Sequence, residues 1–175
     1  QHRAAVVELG ASRLGEIAYT AALVQPMVAV ISNAGMAHAG ESGGPEQIVL
    51  AKGEILDGLG AEHTAVLKLD DVAFEQWRTR NRVCQVLSFS TSNPAADVYA
   101  SAISSNAQGR MGFNLHGVAG EGFIQLAVLG LHNVSNALAA TAAAHALGVP
   151  LMAIKQGLES MNAISGRSVV HTCAN

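Results

Sequence analysis

MVAVISNAGMAHAG (27–40), PEQIVLAKGEILDGL (45–59) and TAVL (64–67) decide the fold. Met27–Ile31 and Thr64–Leu67 are short, nearly continuous apolar runs rich in Val and Ile. Such runs suit parallel strands covered on both faces. The stretch between them has helical spacing, with Pro45 suited to the first turn and Leu59 near the end. Upstream, Ala4–Leu9 reads as another strand and GEIAYTAALV (15–24) as another helix. Strand, helix, strand, helix, strand is a right-handed parallel α/β unit. Ligands of such sheets bind beyond the carboxyl ends of the strands. Glu8, Asn33 and the Asp70–Asp71 pair fall at or just past those ends.

Downstream the period changes to two. Met111, Phe113 and Leu115 alternate with Gly112, Asn114 and His116, and Ile124, Leu126 and Val128 alternate with Gln125 and Ala127. With Ser-Asn-Pro at 92–94 and glycines at 120 and 122, this is an antiparallel meander over 83–129, in which Asp97–Ile103 supplies a further strand. Residues 133–148 then read as an Ala-rich helix stopped by Gly148 and Pro150, and 151–161 as a second helix. The expected class is α/β: a mostly parallel sheet flanked by helices, with an antiparallel β meander.

The chain has 175 residues, enough to bury a core, and one domain is the default for this length. Half the residues are apolar and the formal net charge is −3, which argues against a basic nucleic-acid-binding surface. Cys84 and Cys173 fit no zinc spacing, and two distant cysteines read as the thiols of a cytoplasmic protein. No apolar run approaches the ~20 residues that span a bilayer, and no signal peptide is evident. The chain opens without Met, directly on a strand pattern, and so reads as a fragment.

Three polar residues stand among these apolar elements. Glu8 is either a Mg²⁺ ligand, oxygen being the donor that hard cations prefer, or a solvated or turn-capping strand-end carboxylate. His38 follows the small-residue loop Asn33–Ala37, whose backbone can approach a ligand closely, which makes Asn33 a candidate cofactor contact. The imidazole either completes a metal shell or bonds a phosphate, or it is satisfied by solvent and backbone. Lys52 shares a helical face with Ile48, Ile55 and Leu56. A lysine on an apolar stripe snorkels outward, carries a lowered pKa, or is chemically changed. A neutral lysine that adds CO₂ becomes a carbamate, an anionic oxygen ligand.

A second cluster lies in GLHNVSNALAA (130–140). Asn133 and Asn136 are one helical turn apart at a helix start, with His132 just before. Their amides suit a base edge or a ribose, and the helix start suits an anion; N-capping by Asn133 is the competing reading. Arg167, after a glycine near the chain's end, is placed to clamp a transferring phosphoryl group or to form a surface ion pair.

Taken in order, VVELGAS, GEIAYTAAL, His38 spaced before AKGEI, and GLHNVSNALAA resemble the central ATP-binding domain of the Mur ligases. Of these, VVELGAS with GEIAYTAAL is similar to the D-alanyl-D-alanine-adding branch. The resemblance runs from Ala4 to Arg167. It implies an incomplete P-loop-type domain within 1–175, without the family's N-terminal and C-terminal domains. It implies Mg²⁺ held by Glu8 and His38, with carbamylated Lys52 supporting a second metal. ATP would meet Asn133 and Asn136 near the adenosine, His132 beside the base, and Arg167 at the γ-phosphate. The implied substrates are UDP-N-acetylmuramoyl-tripeptide and D-alanyl-D-alanine, joined through an acyl phosphate in a cytoplasmic enzyme that is a monomer at full length.

The chain departs from the family pattern at Ser12, where the family has Asn, at Gly40, where it has Glu, and at Lys68, where Asn is frequent. The loop at 40–44 lacks the family's Phe. No G-x-x-x-x-G-K-[ST] motif occurs, so the piece alone is expected to be inactive. Two other functions fit the same sequence: a folylpolyglutamate- or cyanophycin-synthetase-like ligase, and a non-catalytic binding module.

Overall fold

Apolar runs become strands only where a neighbour completes the hydrogen-bond ladder, and the chain shows both outcomes. A computed structural model describes residues 4–10, 13–35 and 44–161. The chain divides into two compact units, Gln1–Leu87 and Ser88–Asn175.

In the first unit, α1 (Glu16–Val24) leads to β1 (Val28–Ile31), α2 (Pro45–Gly53), β2 (Thr64–Lys68) and α3 (Phe74–Arg80). β1 and β2 pair in parallel, Val28 opposite Thr64 and Ile31 opposite Leu67. Residues 64–67 of β2 are all buried, as a strand covered on both faces requires. α2 starts with Pro45 in its first turn and tightens into a 3₁₀ turn over Glu54–Leu56. The core joins Ala29 and Ile31 of β1, Ala65 and Leu67 of β2, Val49, Leu56 and Leu59 from the helical stretch, and Phe74 and Trp77 of α3.

The expected strand at Ala4–Leu9 does not form. Residues 4–10 lie outside helix and strand, and Val6 is fully exposed. The apolar pattern there marks a face that burial would favour. Without a paired neighbour among the described residues, it has no ladder to join.

α1 begins at Gly15, whose φ of 89° is left-handed, and Gly15 offers no side chain to cap the helix. The cap comes from Glu54, buried to 8% exposure, which accepts the Gly15 N–H at 2.7 Å and the Ala18 N–H at 3.1 Å. Both oxygens thus serve N–H groups that the first turn leaves without partners, and the negative charge suits that end of the helix. Glu54→Gln keeps the volume but presents only one oxygen. It is expected to cost about 1–3 kcal/mol, read from denaturant titration.

The segment after β2 was not legible as a helix. Asp71 initiates α3: its carbonyl accepts the Phe74 N–H at 3.0 Å and its Oδ1 the Ala73 N–H at 2.9 Å.

In the second unit, β4 (Val98–Ser105), β5 (Arg110–Gly117) and β6 (Gly122–Leu129) form the expected antiparallel meander. β3 (Gln85–Ser90) is divided between the units and corrects the expected antiparallel start at 83: it pairs in parallel with β4. Only Phe89 and Ser90 meet Val98 and Tyr99. A loop over 91–97 therefore suffices where a full parallel pair needs a longer crossover. Among the described residues of this unit the strand order is β3-β4-β5-β6. Gly117 has φ 124°, and a Cβ there would sit 1.9 Å from the Asp97 carbonyl oxygen, so the close approach of these backbones requires glycine.

α4 (Leu131–Ala146) packs against β4, β5 and β6, and α5 (Leu151–Ser160) against β6. α4 buries Val134, Ala137, Leu138, Thr141 and Ala142 on one stripe. Gly148, at φ 73°, accompanies its end.

Candidate functional site

Each unit carries one cluster of candidate residues. In the first unit it lies at the carboxyl ends of β1 and β2, where a parallel sheet presents ligands. Residues 32–35 follow β1, Asp70 and Asp71 follow β2, and Lys52 comes from the last turn of α2.

Half-buried Lys52 does not simply snorkel away. Its Nζ donates to the Asn33 carbonyl oxygen at 2.7 Å. The N–H of the same peptide unit, on Ala34, donates to Asp71 Oδ2 at 2.7 Å. Gly35 comes next, with φ 67°; a Cβ there would lie 3.0 Å from Asn33 Oδ1 and 3.4 Å from Lys52 Nζ. The loop thus closes around the amine because residue 35 has no side chain. Burial pushes the Lys52 pKa below its ordinary value, and the nearby Asp71 charge opposes that shift. A lysine so placed has more neutral amine at a given pH than an exposed one.

Sequence reasoning placed Glu8, Asn33 and the Asp70–Asp71 pair at the strand ends and singled out Lys52 on the following helix; the structure brings Asn33, Lys52 and Asp71 together. Glu8 is exposed, and among the described residues no hydrogen bond or ion pair joins it to Lys52 or Asp71. His38, Arg167 and Cys173 lie outside the described residues.

No group of three or more His, Cys, Asp or Glu among the described residues is placed to hold a metal. The donor chemistry nevertheless suits Mg²⁺ if Lys52 is a carbamate, because that group and the Glu8 carboxylate offer the hard oxygen ligands it prefers. The unmodified amine, a donor to Asn33, offers none.

Two contributions were missed. Glu54, two residues beyond Lys52 in AKGEI, caps α1 from 39 residues away, a reach that no local pattern signals. Asp71 was noted as a strand-end acid, but nothing local revealed that it reaches the loop after β1.

In the second unit, α4 starts at Leu131, two residues before the expected start, and Gly130 is its N-cap. The N-capping reading of Asn133 is therefore corrected. Asn133 lies inside the helix and its Nδ2 donates to the Leu129 carbonyl at 2.7 Å, with His132 Nε2 3.1 Å away. Asn136 Nδ2 is 3.5 Å from Asn133 Oδ1. A Cβ on Gly130 would lie 2.6 Å from His132 Cε1, so glycine is what lets the imidazole fold back over the helix start. The result is an exposed ring beside two amides, at a helix end whose free N–H groups favour anions.

Residues 1–144 match the family model described as the Mur ligase middle domain. The chain belongs to the Mur ligase middle-domain family. It is 39% identical over 169 residues to UDP-N-acetylmuramoyl-tripeptide–D-alanyl-D-alanine ligase of Haemophilus influenzae, covering 95% of this chain and 35% of that protein. The ligase of the same name from Escherichia coli is 36% identical over 163 residues, covering 93% and 36%. A crystal structure of MurF from Acinetobacter baumannii superposes with TM-score 0.87 at 39% identity, covering 94% of this chain and 36% of that one. MurF ligase from Thermotoga maritima, solved in complex with ADP, shares the fold at TM-score 0.76 and 24% identity, covering 91% and 36%. The Mur ligase middle domain described here thus spans little more than a third of the length of these relatives. No helix among its described residues is long and apolar enough to cross a membrane.

Proposed function

We propose that this Mur ligase middle domain is the ATP-using part of a cytoplasmic enzyme that joins D-alanyl-D-alanine to a UDP-N-acetylmuramoyl-tripeptide. The observation that carries the reading is Lys52, half-buried at the carboxyl ends of β1 and β2 with its amine fixed on the Asn33 carbonyl and its pKa lowered. The names of the relatives at 36–39% identity support the choice of substrates.

In this reading a carboxylate oxygen of the tripeptide attacks the γ-phosphorus of ATP, ADP leaves, and an acyl phosphate forms. The amine of the dipeptide then attacks the acyl carbon, inorganic phosphate leaves, and the amine gives up a proton as the amide forms. Little of this needs covalent help from protein; it needs placement and charge neutralisation. Glu8, His38 and carbamylated Lys52 would hold Mg²⁺, which supplies positive charge against the phosphate oxygens when bound. Arg167 would add a guanidinium at the transferring group. His132, Asn133 and Asn136 would receive the adenosine and Asn33 the nucleotide's polar edge.

The test is product analysis with the full-length protein, Mg-ATP, the tripeptide nucleotide and D-alanyl-D-alanine. Mass spectrometry is expected to show the pentapeptide nucleotide, with ADP and phosphate formed in equal amounts. A product formed with glutamate or another amino acid in place of the dipeptide would favour the folylpolyglutamate- or cyanophycin-synthetase-like reading. No product with any acceptor would leave a binding module.

A further inference from the structure

Lys52 and Asp71 grip the same peptide unit from its two ends. Lys52 Nζ donates to the carbonyl of Asn33 at 2.7 Å, and Asp71 Oδ2 accepts from the N–H of Ala34 at 2.7 Å. In a trans peptide these two groups point in opposite directions, so the side-chain N–H donor meets the carbonyl end of the dipole and the carboxylate its N–H end. Each bond polarises the peptide in the sense that strengthens the other. Rotating the peptide plane would break both bonds together.

The carboxylate is itself held. Asp71 Oδ1 accepts the Ala73 N–H at 2.9 Å, so its plane is fixed by the first turn of α3. On the other side, Gly35 brings its backbone against the amine, with room for no Cβ without crowding Asn33 Oδ1. α3, the loop after β1 and α2 are thereby tied at one point, and that point is the Asn33–Ala34 peptide.

We propose that Asp71 is a positioning residue of this site, fixing the Asn33–Ala34 peptide so that the peptide in turn holds the Lys52 side-chain nitrogen in place. The inference rests on the ligase reading for its effect on rate, but the clamp itself does not. Asp71 acts through the peptide and through Lys52 and touches no substrate.

The experiment uses the full-length protein and Asp71→Asn, which keeps the volume but offers an oxygen to only one of the two N–H groups. Misplacing a reacting constellation by about 1 Å costs about 100-fold. Asp71→Asn is therefore expected to lower kcat on the order of 10- to 100-fold while KM for ATP, the nucleotide and the dipeptide stays within about twofold. Asp71→Glu, which restores a carboxylate, is expected to recover part of kcat; a role limited to starting α3 would shift the unfolding midpoint and leave kcat alone. Amide hydrogen exchange at Ala34 supplies the second readout: it is expected to be slow in the wild type and faster in both Asp71→Asn and Lys52→Ala. An active wild type whose kcat is unchanged by Asp71→Asn would overturn the positioning role. Ala34 exchange indifferent to either substitution would overturn the clamp. If the wild type forms no amide product the ligase reading fails, and the exchange result alone then decides for or against the clamp.

Discussion

Lys52→Ala in the full-length enzyme is expected to lower kcat on the order of 10²–10³-fold, the scale of losing one preorganised group that stabilises transition-state charge. The lysine has the site's lowered amine pKa, and its nitrogen is fixed by the Asn33 carbonyl rather than left in solvent. CO₂ adds only to a neutral amine, so burial favours the carbamate while Asp71 restrains the loss of the proton. Lys52→Arg is not expected to rescue, because a guanidinium stays protonated and forms no carbamate. Steady-state kinetics in buffers stripped of bicarbonate and then replenished provide the check: the wild-type rate should fall and recover, and both variants should be indifferent. A Lys52→Ala enzyme with the wild-type rate would remove the lysine from the mechanism.

Trp77→Ala is expected to be the most damaging of these substitutions to stability, by about 3–5 kcal/mol. The indole is 1% exposed in the core between α2, α3 and the β1–β2 pair, and its Nε1 donates to the Val49 carbonyl at 3.0 Å. Truncation leaves a cavity and a buried carbonyl without its partner. Gly53 fits beside the ring because a Cβ there would already be 3.2 Å from Trp77 Cδ1. Trp77→Phe keeps most of the packing and loses the hydrogen bond, so its expected cost is nearer 1–3 kcal/mol. Urea titration separates the two, and since domains carry only about 5–15 kcal/mol in total, the alanine variant should lose much of its cooperative transition. Val49 and Gly53 flank Lys52 on α2, so the loss also loosens the element that carries the amine.

Where chemistry is local, the sequence was a sufficient guide. The runs at 27–31 and 64–67 became β1 and β2, Pro45 opened α2, and the period-two stretches became β5 and β6. Three failures have one cause, a partner distant in sequence. Residues 4–10 had the pattern of a strand but no ladder among the described residues. β3 runs parallel to β4 because only the ends of the two strands overlap, which alternation cannot reveal. α3 spans only Phe74–Arg80, too short for a periodic signal, and is started by Asp71 and held by Trp77.

The site divides in the same way. Asn33 and Lys52 could be placed at one sheet end from strand and helix boundaries alone. The reach of Asp71 to Ala34 and of Glu54 to Gly15 depends on tertiary approach and was invisible. The competing reading of Asn133 as a cap fails because the helix begins at Leu131, a start that Gly130, lacking a capping side chain, did not signal.

The most direct measurement of the proposed chemistry is isotope transfer in the full-length enzyme. With ¹⁸O in the terminal carboxylate of the tripeptide nucleotide, an acyl phosphate carries one labelled oxygen into the phosphate released when the dipeptide attacks. The expected result is one ¹⁸O in inorganic phosphate per amide formed, with the rate of release lowered on the order of 10²–10³-fold in Lys52→Ala. Unlabelled phosphate, or label appearing in AMP, would contradict it.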